Sequence, residues 1–549
     1  MAAGLVLRLY AGGDLFLHTW DERYHALVAK HLLAHPLVPT LYDHPVLPYD
    51  YRNWRANHVW LHKPPLALWM MAAGMRLLGV DEIAMRVPSL ALSTAAIFLT
   101  FVIGSCLLGR RIGLLAAAFH AVNGYLLQLP AGRVAVDHVD NAVVFFVELG
   151  VFLAVLQARG GMPPPQWQPQ PAGPGASPPA GPGAPLASGP GAPPAASRAR
   201  DWWTWLSWSP AIGLATGLAL LSKWLPGLLA VPVWLALAWG RRRPRQIAAG
   251  LAAILAVTAA VALPWQLYVR RTFPLEASWE SFYNLRHLVV PIEGLGGSPL
   301  FHLMKMPRFF GELIYLPVAW LLVELLRRRP WRRDLLPLAV WIVVPYAAFS
   351  LAATKLGGYV MVAAPALFIV EAGFWVWLWD GGRTPAASGA PPTPRRPGRA
   401  AATLRWAVLV LLPLLPLRYT VERMKIRPTY DRNPPWARAL RALPARLGPG
   451  PVVLFHLDRP LEAMFYTPYI AYEGLPTASQ ASRLREAGYR VVVLDAGTAP
   501  SWLRNVPGIE LRSEAIPPSP LDDGTGFRPL RADGSDSPLA GTAETEPPP

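Results

Sequence analysis

The sequence predicts an α-helical polytopic membrane protein with a small extracytoplasmic α/β domain near its C-terminus. Hydrophobic residues make up 53% of the 549 residues and charged residues only 15%, a balance too apolar for a protein whose whole surface faces water. Apolar runs recur at 87–108, 247–269 and 359–379. Each is long enough to cross about 30 Å of hydrocarbon, which takes about 20 helical residues. One such run could be a buried helix, but a series of them indicates several membrane spans.

The distribution of basic residues predicts which loops face the cytoplasm. The formal net charge is +17, and many arginines stand in short clusters beside the ends of apolar runs: Arg110-Arg111, Arg241–Arg243, Arg327–Arg329 and Arg395-Arg396. Cytoplasmic loops of membrane proteins carry such an excess of Lys and Arg. The clusters therefore indicate membrane topology and argue against nucleic-acid binding.

Ten apolar segments of alternating direction follow when the arginine clusters are taken as cytoplasmic. They are 87–108, 112–130, 141–157, 209–222, 224–240, 247–269, 311–326, 335–352, 359–379 and 402–417. This alternation places residues 21–65, 131–140 and 270–310, and the chain from 418 onward, outside the cell membrane.

Composition divides the chain into units. They are a truncated N-terminus and first outer loop with interfacial helices, 1–86; spans with a second outer loop, 87–158; a disordered cytoplasmic linker, 159–205; spans with a large outer loop at 270–310, 206–380; a second disordered linker, 381–401; a last span, 402–417; the α/β domain, 418–516; and a disordered tail, 517–549. The linkers are rich in Pro, Gly, Ala and Ser and cannot bury apolar surface. A first helix is expected to be missing, because MAAGLVLRLYAGG is too short to span.

The predicted α/β domain contains two short apolar runs separated by helical patterns. PVVLFH and RVVVLD are typical of buried strands, and helices are expected near 461–466 and 481–487. This alternation predicts a small soluble domain.

The first outer loop carries adjacent carboxylates and a lysine held by prolines. Asp21 and Glu22 are typical either of the start of an interfacial helix, where acids suit the helix dipole, or of a functional pair. Lys63 precedes two prolines, and Arg86 precedes the first long span. Such a cation either extends to the lipid headgroups or holds a phosphate as a point charge.

The second outer loop places ionisable residues at the mouth of a span. Asp137 and Asp140 lie there with Arg133 and His138. Charges so near an apolar core are costly unless they face a cavity or each other, so a functional role is the default. Two lysines, Lys223 and Lys355, interrupt apolar hairpins elsewhere and either neutralise an anion or mark a helix end. The third loop offers too many ionisable residues to rank, Arg270 and Glu280 among them.

Five motifs, taken in order, resemble the bacterial family-39 branch of the GT-C glycosyltransferases, which includes protein O-mannosyltransferases and lipid A aminoarabinose transferases. The motifs are WDERYHA, KPPLALWMMAAGMRLLG with DEIAMRVPS, RVAVDHVDNAVVFF, LALLSKWLPG and TKLGGYVMVAAPAL, and the resemblance covers about 15–370. It implies a GT-C fold in the cytoplasmic membrane. It also implies inverting transfer of a sugar from a polyprenyl-phosphate donor to a hydroxyl of a lipid, glycan or protein acceptor, outside the membrane.

The resemblance also implies roles for individual residues. Asp21 would be the general base and Glu22 its neighbour, and Asp140 fits the second-loop acid better than Asp137 because it precedes an aromatic pair by a few residues. The donor phosphate would be met by basic residues, namely Lys63, Arg86 and Lys355. No cofactor is certain; some relatives use a divalent metal, and a Lys or Arg clamp would replace it.

Two other classes of protein fit parts of the sequence. Intramembrane charges also mark substrate pathways, so a transporter or flippase of lipid-linked sugars is an alternative. A scaffold that displays the C-terminal domain is a third reading. The enzyme reading makes a distinct geometric prediction, because Asp21, Lys63 and Asp140 must then converge on one outward-facing cavity.

Overall fold

The computed structural model describes residues 1–160, 195–327, 332–382, 399–495, 500–513 and 516–517. Seven helices in these ranges are long and apolar enough to cross a membrane: Glu82–Leu108, His138–Arg159, Trp205–Lys223, Pro244–Thr272, Arg333–Leu351, Gly357–Trp379 and Arg399–Arg423. An eighth span results if Phe301–Phe310 and Tyr315–Leu326, bent by 114°, count as one. The prediction of a polytopic helical membrane protein is confirmed.

The helices follow in the order α1 Ala2–Ala11, α2 Asp21–His31, α3 Pro65–Leu78, α4 Glu82–Leu108, α5 Arg110–Val122, α6 Gly124–Gln128, α7 His138–Arg159, α8 Ala195–Lys223, α9 Ala230–Ala238, α10 Pro244–Thr272, α11 Pro274–Val289, α12 Phe301–Phe310, α13 Tyr315–Leu326, α14 Arg332–Leu351, α15 Ala364–Trp379 and α16 Arg399–Arg423. Short 3-10 helices at Leu225–Leu229 and Gly357–Ala363 precede α9 and α15.

Three of the ten expected spans are shorter in the structure. The segment 311–326 forms a helix only from Tyr315, after the bend that follows α12. The other two are interrupted within the segment. The segment 112–130 is divided into α5 and α6, because Asn123 leaves the helical conformation and its side chain accepts hydrogen bonds from the next turn. The segment 224–240 begins with Trp224 at a φ of +33° and a 3-10 turn containing Pro226, so only a short helix remains. Both breaks come from capping and proline chemistry that hydropathy alone does not register.

The arginine clusters lie near one another. Asp334 forms ion pairs with Arg159 at 3.0 Å and with Arg241 at 2.8 Å. Arg111 forms another with Asp380 at 3.5 Å. Loops expected on the same side are therefore joined by salt bridges. At the expected linker 159–205, α7 continues to Arg159 and α8 begins at Ala195. The rest of both linkers and nearly all of the tail lie outside the described residues.

The C-terminal α/β domain is confirmed. After α17 (Pro435–Leu447) come β1 Val452–Phe455, α18 Pro460–Tyr466, β2 Ile470–Ala471, α19 Ala478–Glu486, β3 Arg490–Leu494 and β4 Ile509–Arg512. The strands form a parallel sheet in the order β2-β1-β3-β4, so β1 and β3, the two strands expected from the sequence, are central.

This domain packs on the first loop. One apolar core combines Leu27 and Trp60 of the loop with Trp436, Leu454 and Phe465 of the domain. Lys30, on α2, donates hydrogen bonds to three backbone carbonyls at the end of α18, at 2.7, 2.9 and 3.1 Å. A cation at a helix C-terminus satisfies carbonyls that have no partner within the helix. The domain thus supports α2, which carries Asp21 and Glu22.

Candidate active site

The two acids of the first loop begin α2 without capping it. The N-cap is Trp20, and Asp21 and Glu22 occupy the first helical turn, where no side-chain cap hydrogen bond forms. Their carboxylates still benefit from the positive end of the helix dipole. Asp21 and Glu22 thus lie at the start of α2, and their side chains enter different surroundings.

Glu22 lies in a closed, buried ionic network. Its carboxylate accepts from Arg86 Nε at 2.7 Å and Nη2 at 2.9 Å, and it also contacts His18 Nδ1 at 2.6 Å and His138 Nε2 at 3.2 Å. Burial opposes ionisation, but Arg86 and His18 outweigh it and hold the pKa of Glu22 well below its ordinary value. A Cβ at Gly132 would overlap this carboxylate, so the second loop also closes on it.

Arg86 uses its guanidinium inside the same network. Besides Glu22, it donates to the backbone carbonyls of Gly12, Asp14 and Phe16, and its side chain is fully buried. This set of partners occupies all three guanidinium nitrogens. The structure thus places Arg86 in a supporting position, and a phosphate could reach it only if the network opened.

Asp21 and Lys63 form a separate, more accessible pair. Lys63 Nζ lies 3.4 Å from Asp21 Oδ2, and the side chains are 19% and 25% exposed. Burial disfavours the charged lysine, but the carboxylates of Asp21, Asp140 and Asp137 and the Tyr359 hydroxyl raise its pKa above the ordinary value. Lys63 therefore stays a cation at any physiological pH, and it lies within electrostatic range of Asp137 and Asp140 of the second outer loop.

Asp140 pairs with a lysine from another helix. Lys223 Nζ, at the end of α8, lies 2.5 Å from Asp140 Oδ1 and 4.7 Å from the centre of the Tyr359 ring. These three side chains, with Pro226, Phe349 and Gly358, line a small cavity. Lys223 was singled out in the sequence without a definite role, and the structure makes it the partner of the second-loop acid.

Asp137 and Lys355 point to structural partners. Asp137 caps α7 by accepting from Val139 N at 3.2 Å, and it lies 2.7 Å from His25 Nδ1 on α2. Lys355 is 4% exposed, and its Nζ donates to the backbone carbonyls of Phe349, Ser350 and Ala352 at the end of α14. Lys355 thus acts as a helix C-cap in this arrangement, the helix-end alternative noted from the sequence.

The structure brings Asp21 and Lys63 into contact and places Asp140 within electrostatic range of Lys63. It also reveals His62 and Glu280, 3.4 Å apart beside Lys63, which the sequence did not single out as a pair. No spacing signal could have found them, because 218 residues separate the two positions. Within the described ranges, no group of three or more His, Cys, Asp or Glu side chains is arranged to hold a metal ion.

Comparison with solved structures identifies the fold. ArnT from Cupriavidus metallidurans in the apo state superposes with a TM-score of 0.53, covering 88% of this chain and 87% of that one at 16% identity. The same protein bound to undecaprenyl phosphate gives 0.52, covering 86% and 84% at 17% identity. At such identity the likeness shows the fold alone. The chain has the GT-C fold, as expected.

Sequence comparison narrows the resemblance. A family model described as dolichyl-phosphate-mannose-protein mannosyltransferase matches residues 62–161. Undecaprenyl phosphate-α-4-amino-4-deoxy-L-arabinose arabinosyl transferase 1 of Pseudomonas fluorescens strain Pf0-1 is 28% identical over 326 residues, which are 56% of this chain and 48% of that protein. The chain thus spans about half the length of the curated relatives it matches. The resemblance to aminoarabinose-transferase-like GT-C proteins is confirmed.

Proposed function

We propose that this protein is an inverting glycosyltransferase that moves a sugar from a polyprenyl-phosphate donor to a hydroxyl of a lipid, glycan or protein acceptor. The observation that carries the proposal is the accessible pair of Asp21 and Lys63 on the first loop of a GT-C fold. Lys63 Nζ lies 3.4 Å from Asp21 Oδ2, and Asp140 is within electrostatic range of Lys63. A base and a phosphate-binding cation are thereby held together. We place the protein in the cytoplasmic membrane with this site on the extracytoplasmic side, because the arginine clusters mark the opposite loops as cytoplasmic.

In this proposal Asp21 is the general base. The acceptor oxygen bonds to the anomeric carbon, the bond from that carbon to the phosphate oxygen breaks, and Asp21 takes the hydroxyl proton. Polyprenyl phosphate leaves with the bonding electron pair. A phosphate on Lys63 would compete with Asp21 for the ammonium, and so would leave the carboxylate free to accept the proton.

Lys63 stabilises the charge that develops on the leaving phosphate. Pro64 and Pro65 restrict the backbone beside it, since Pro64 is the N-cap and Pro65 the first residue of α3. Asp140, held by Lys223, contributes the second acid of the site. Glu22 and Asp137 act as positioning residues, because both are buried and both connect α2 to the second loop. Glu22 of α2 contacts His138, and Asp137 of the second loop contacts His25 of α2.

The test uses the full chain, purified and reconstituted in liposomes. Polyprenyl-phosphate mannose and polyprenyl-phosphate aminoarabinose serve as donors, and release of polyprenyl phosphate is measured. A transporter would move the lipid-linked sugar between leaflets without releasing polyprenyl phosphate, so transport without release would contradict the proposal.

Binding of polyprenyl phosphate tests Lys63 directly. Removing one charge-assisted contact costs about 1.5–3 kcal/mol, or roughly 10- to 150-fold in affinity. Lys63→Ala should weaken binding by that factor, and Lys63→Arg should retain part of the affinity. Lys305→Ala is the matched control, because Lys305 lies against the Phe301 ring, outside the pair. Equal affinity of the wild type and Lys63→Ala would reject this role.

A further inference from the structure

A second cavity opens beside Lys63. It lies between the first loop, Trp224 and the corner where α10 meets α11. Its wall includes Lys63, Trp224, Trp265, Gln266 and Glu280.

Two buried polar atoms of this wall have no hydrogen-bond partner among the described residues. They are Oε2 of Glu280, a residue that is 5% exposed, and Nε1 of Trp224. Buried polar groups are nearly always paired, and an exception calls for a ligand or a water. Together they offer one acceptor and one donor to whatever fills the cavity.

The histidine beside Glu280 does not satisfy the hydrogen-bonding capacity of its carboxylate. His62 Nδ1 lies 3.4 Å from Glu280 Oε2 and makes no hydrogen bond. Its ring is stacked on Trp54, with centroids 4.4 Å apart and an interplanar angle of 4°, which fixes its orientation. Burial, aided by the neighbouring Lys63, keeps the pKa of His62 well below its ordinary value, so it brings no positive charge to Glu280.

The wall has the chemistry of a carbohydrate site. Indole rings offer flat apolar surfaces, while a carboxyl, an amide and an indole N–H hydrogen-bond polar substituents in fixed directions. Lys63 lies in the same wall and is the proposed phosphate contact. The anomeric carbon of the donor is bonded to that phosphate, so the sugar must lie next to Lys63.

We propose that this cavity holds the sugar of the donor and that Glu280 accepts a hydrogen bond from a substituent of the sugar ring, a hydroxyl or an ammonium. This inference rests on the proposed function, which places the phosphate on Lys63. Burial raises the pKa of Glu280 to about 7 against the opposing effect of Lys63 and His287. The carboxyl is therefore ready to lose its proton near neutral pH when a hydrogen-bond donor approaches.

The experiment compares two affinities of the full-length protein in detergent, that for polyprenyl phosphate and that for the polyprenyl-phosphate sugar. The affinity for the polyprenyl-phosphate sugar divided by the affinity for polyprenyl phosphate isolates the contribution of the sugar. Glu280→Leu should lower this ratio about 5- to 100-fold, while binding of bare polyprenyl phosphate stays within about twofold. Glu276→Gln is the control, since Glu276 lies one turn earlier on α11 and outside the wall.

The two substituents are distinguished by Glu280→Gln. With polyprenyl-phosphate mannose the amide oxygen still accepts from a hydroxyl, and most of the ratio should remain. With polyprenyl-phosphate aminoarabinose the lost charge should lower the ratio nearly as far as the Leu variant does. An unchanged ratio in the Leu variant for both donors would overturn the inference.

Carbodiimide labelling of the wild type gives a reading that needs no variant. An apolar carbodiimide reacts with buried protonated carboxyls, and the labelled position is mapped by mass spectrometry. The polyprenyl-phosphate sugar should protect Glu280, and bare polyprenyl phosphate should not; equal labelling under both conditions would overturn the inference. Failure of the proposed function is recognised separately, as unchanged polyprenyl phosphate binding in Lys63→Ala.

Discussion

Asp21 and Glu22 are neighbours on one helical turn, yet their carboxylates have opposite surroundings. Glu22 is fully buried against Arg86 and two histidines, whereas Asp21 is 25% exposed beside Lys63. A general base must reach its substrate and be able to accept a proton. At the scale of the residue, this difference assigns the catalytic role in our proposal to Asp21 and the supporting role to Glu22.

Replacing Asp21 by Asn keeps the size of the side chain and removes the basic oxygen. We expect turnover to fall by about 10² or more, because general base catalysis contributes that much. Binding of polyprenyl phosphate should persist, since Lys63 is unchanged. Sugar transfer by the purified variant is the measurement.

Asp50→Asn is the matched control, because Asp50 is a first-loop acid with 62% of its side chain exposed. Its turnover should match the wild type. Transfer by Asp21→Asn at the parental rate would mean that Asp21 serves only the start of α2.

Sequence motifs could indicate Asp21, Lys63 and Asp140 but not their partners. Lys223 meets Asp140 across 83 residues and Arg86 meets Glu22 across 64, and such pairings depend on how helices pack. The resemblance implies that Arg86 and Lys355 meet the donor phosphate together with Lys63. Only tertiary contacts reveal that their donors are already used by a carboxylate and by helix-end carbonyls.

Helix α2 is fixed at its start by charges as well as by packing. His18 lies between Asp14, at 3.1 Å, and Glu22, at 2.6 Å, with Arg86 and Arg133 on the same carboxylates. Burial alone would lower the pKa of His18, but the carboxylates of Glu22 and Asp14 outweigh it and raise the pKa above the ordinary value. The protonated imidazole therefore stabilises this element.

This raised pKa predicts a pH dependence of stability. Because the folded protein binds the proton more tightly than the unfolded chain, the stabilisation is complete below about pH 6.5 and is lost as the pH rises through the raised value. The paired carboxylates Asp14 and Glu22 have lowered pKa values, so their own effects belong to more acidic conditions. We expect the midpoint temperature of thermal unfolding, measured in detergent, to decrease as the pH is raised from 6 to 9.

The variant His18→Gln isolates this effect. It should unfold at a lower temperature than the wild type at pH 6, and the difference should shrink as the pH rises. His35→Gln serves as the control, since His35 is exposed on the first loop. A constant difference across the pH range would contradict the assignment.

Hydropathy predicted the long helices well and the broken ones poorly. The spans that became α4, α7 and α10 were located to within a few residues, whereas α5 and α9 are cut short by Asn123 and by the turn at Trp224. In the C-terminal domain, β1 and β3 are buried apolar runs and were found. Strand β2 has only two residues, and none of the four residues of edge strand β4 is buried, so neither is a buried apolar run like β1 and β3.

At the scale of the whole molecule, the alternation of arginine clusters predicts sidedness. We expect reporter fusions after Arg243 to give a cytoplasmic signal and fusions after Arg512 an extracytoplasmic one, because Lys and Arg resist translocation in short loops. The two signals are measured in parallel on fusions of similar expression. A cytoplasmic signal after Arg512 would overturn both the topology and the proposed position of the active site.

The packing of the C-terminal domain on the first loop has a consequence for biosynthesis. The hydrogen bond from Leu17 N to the Tyr466 hydroxyl joins residues 449 apart. At about 5–20 residues per second, a ribosome needs roughly 20 to 90 s to make the intervening chain. Throughout that time the face of α2 that packs on the C-terminal domain lacks this partner, and in the topology we propose it is already across the membrane. The nascent protein is therefore most exposed to aggregation and proteolysis at its oldest segment, and completing translation is what protects it.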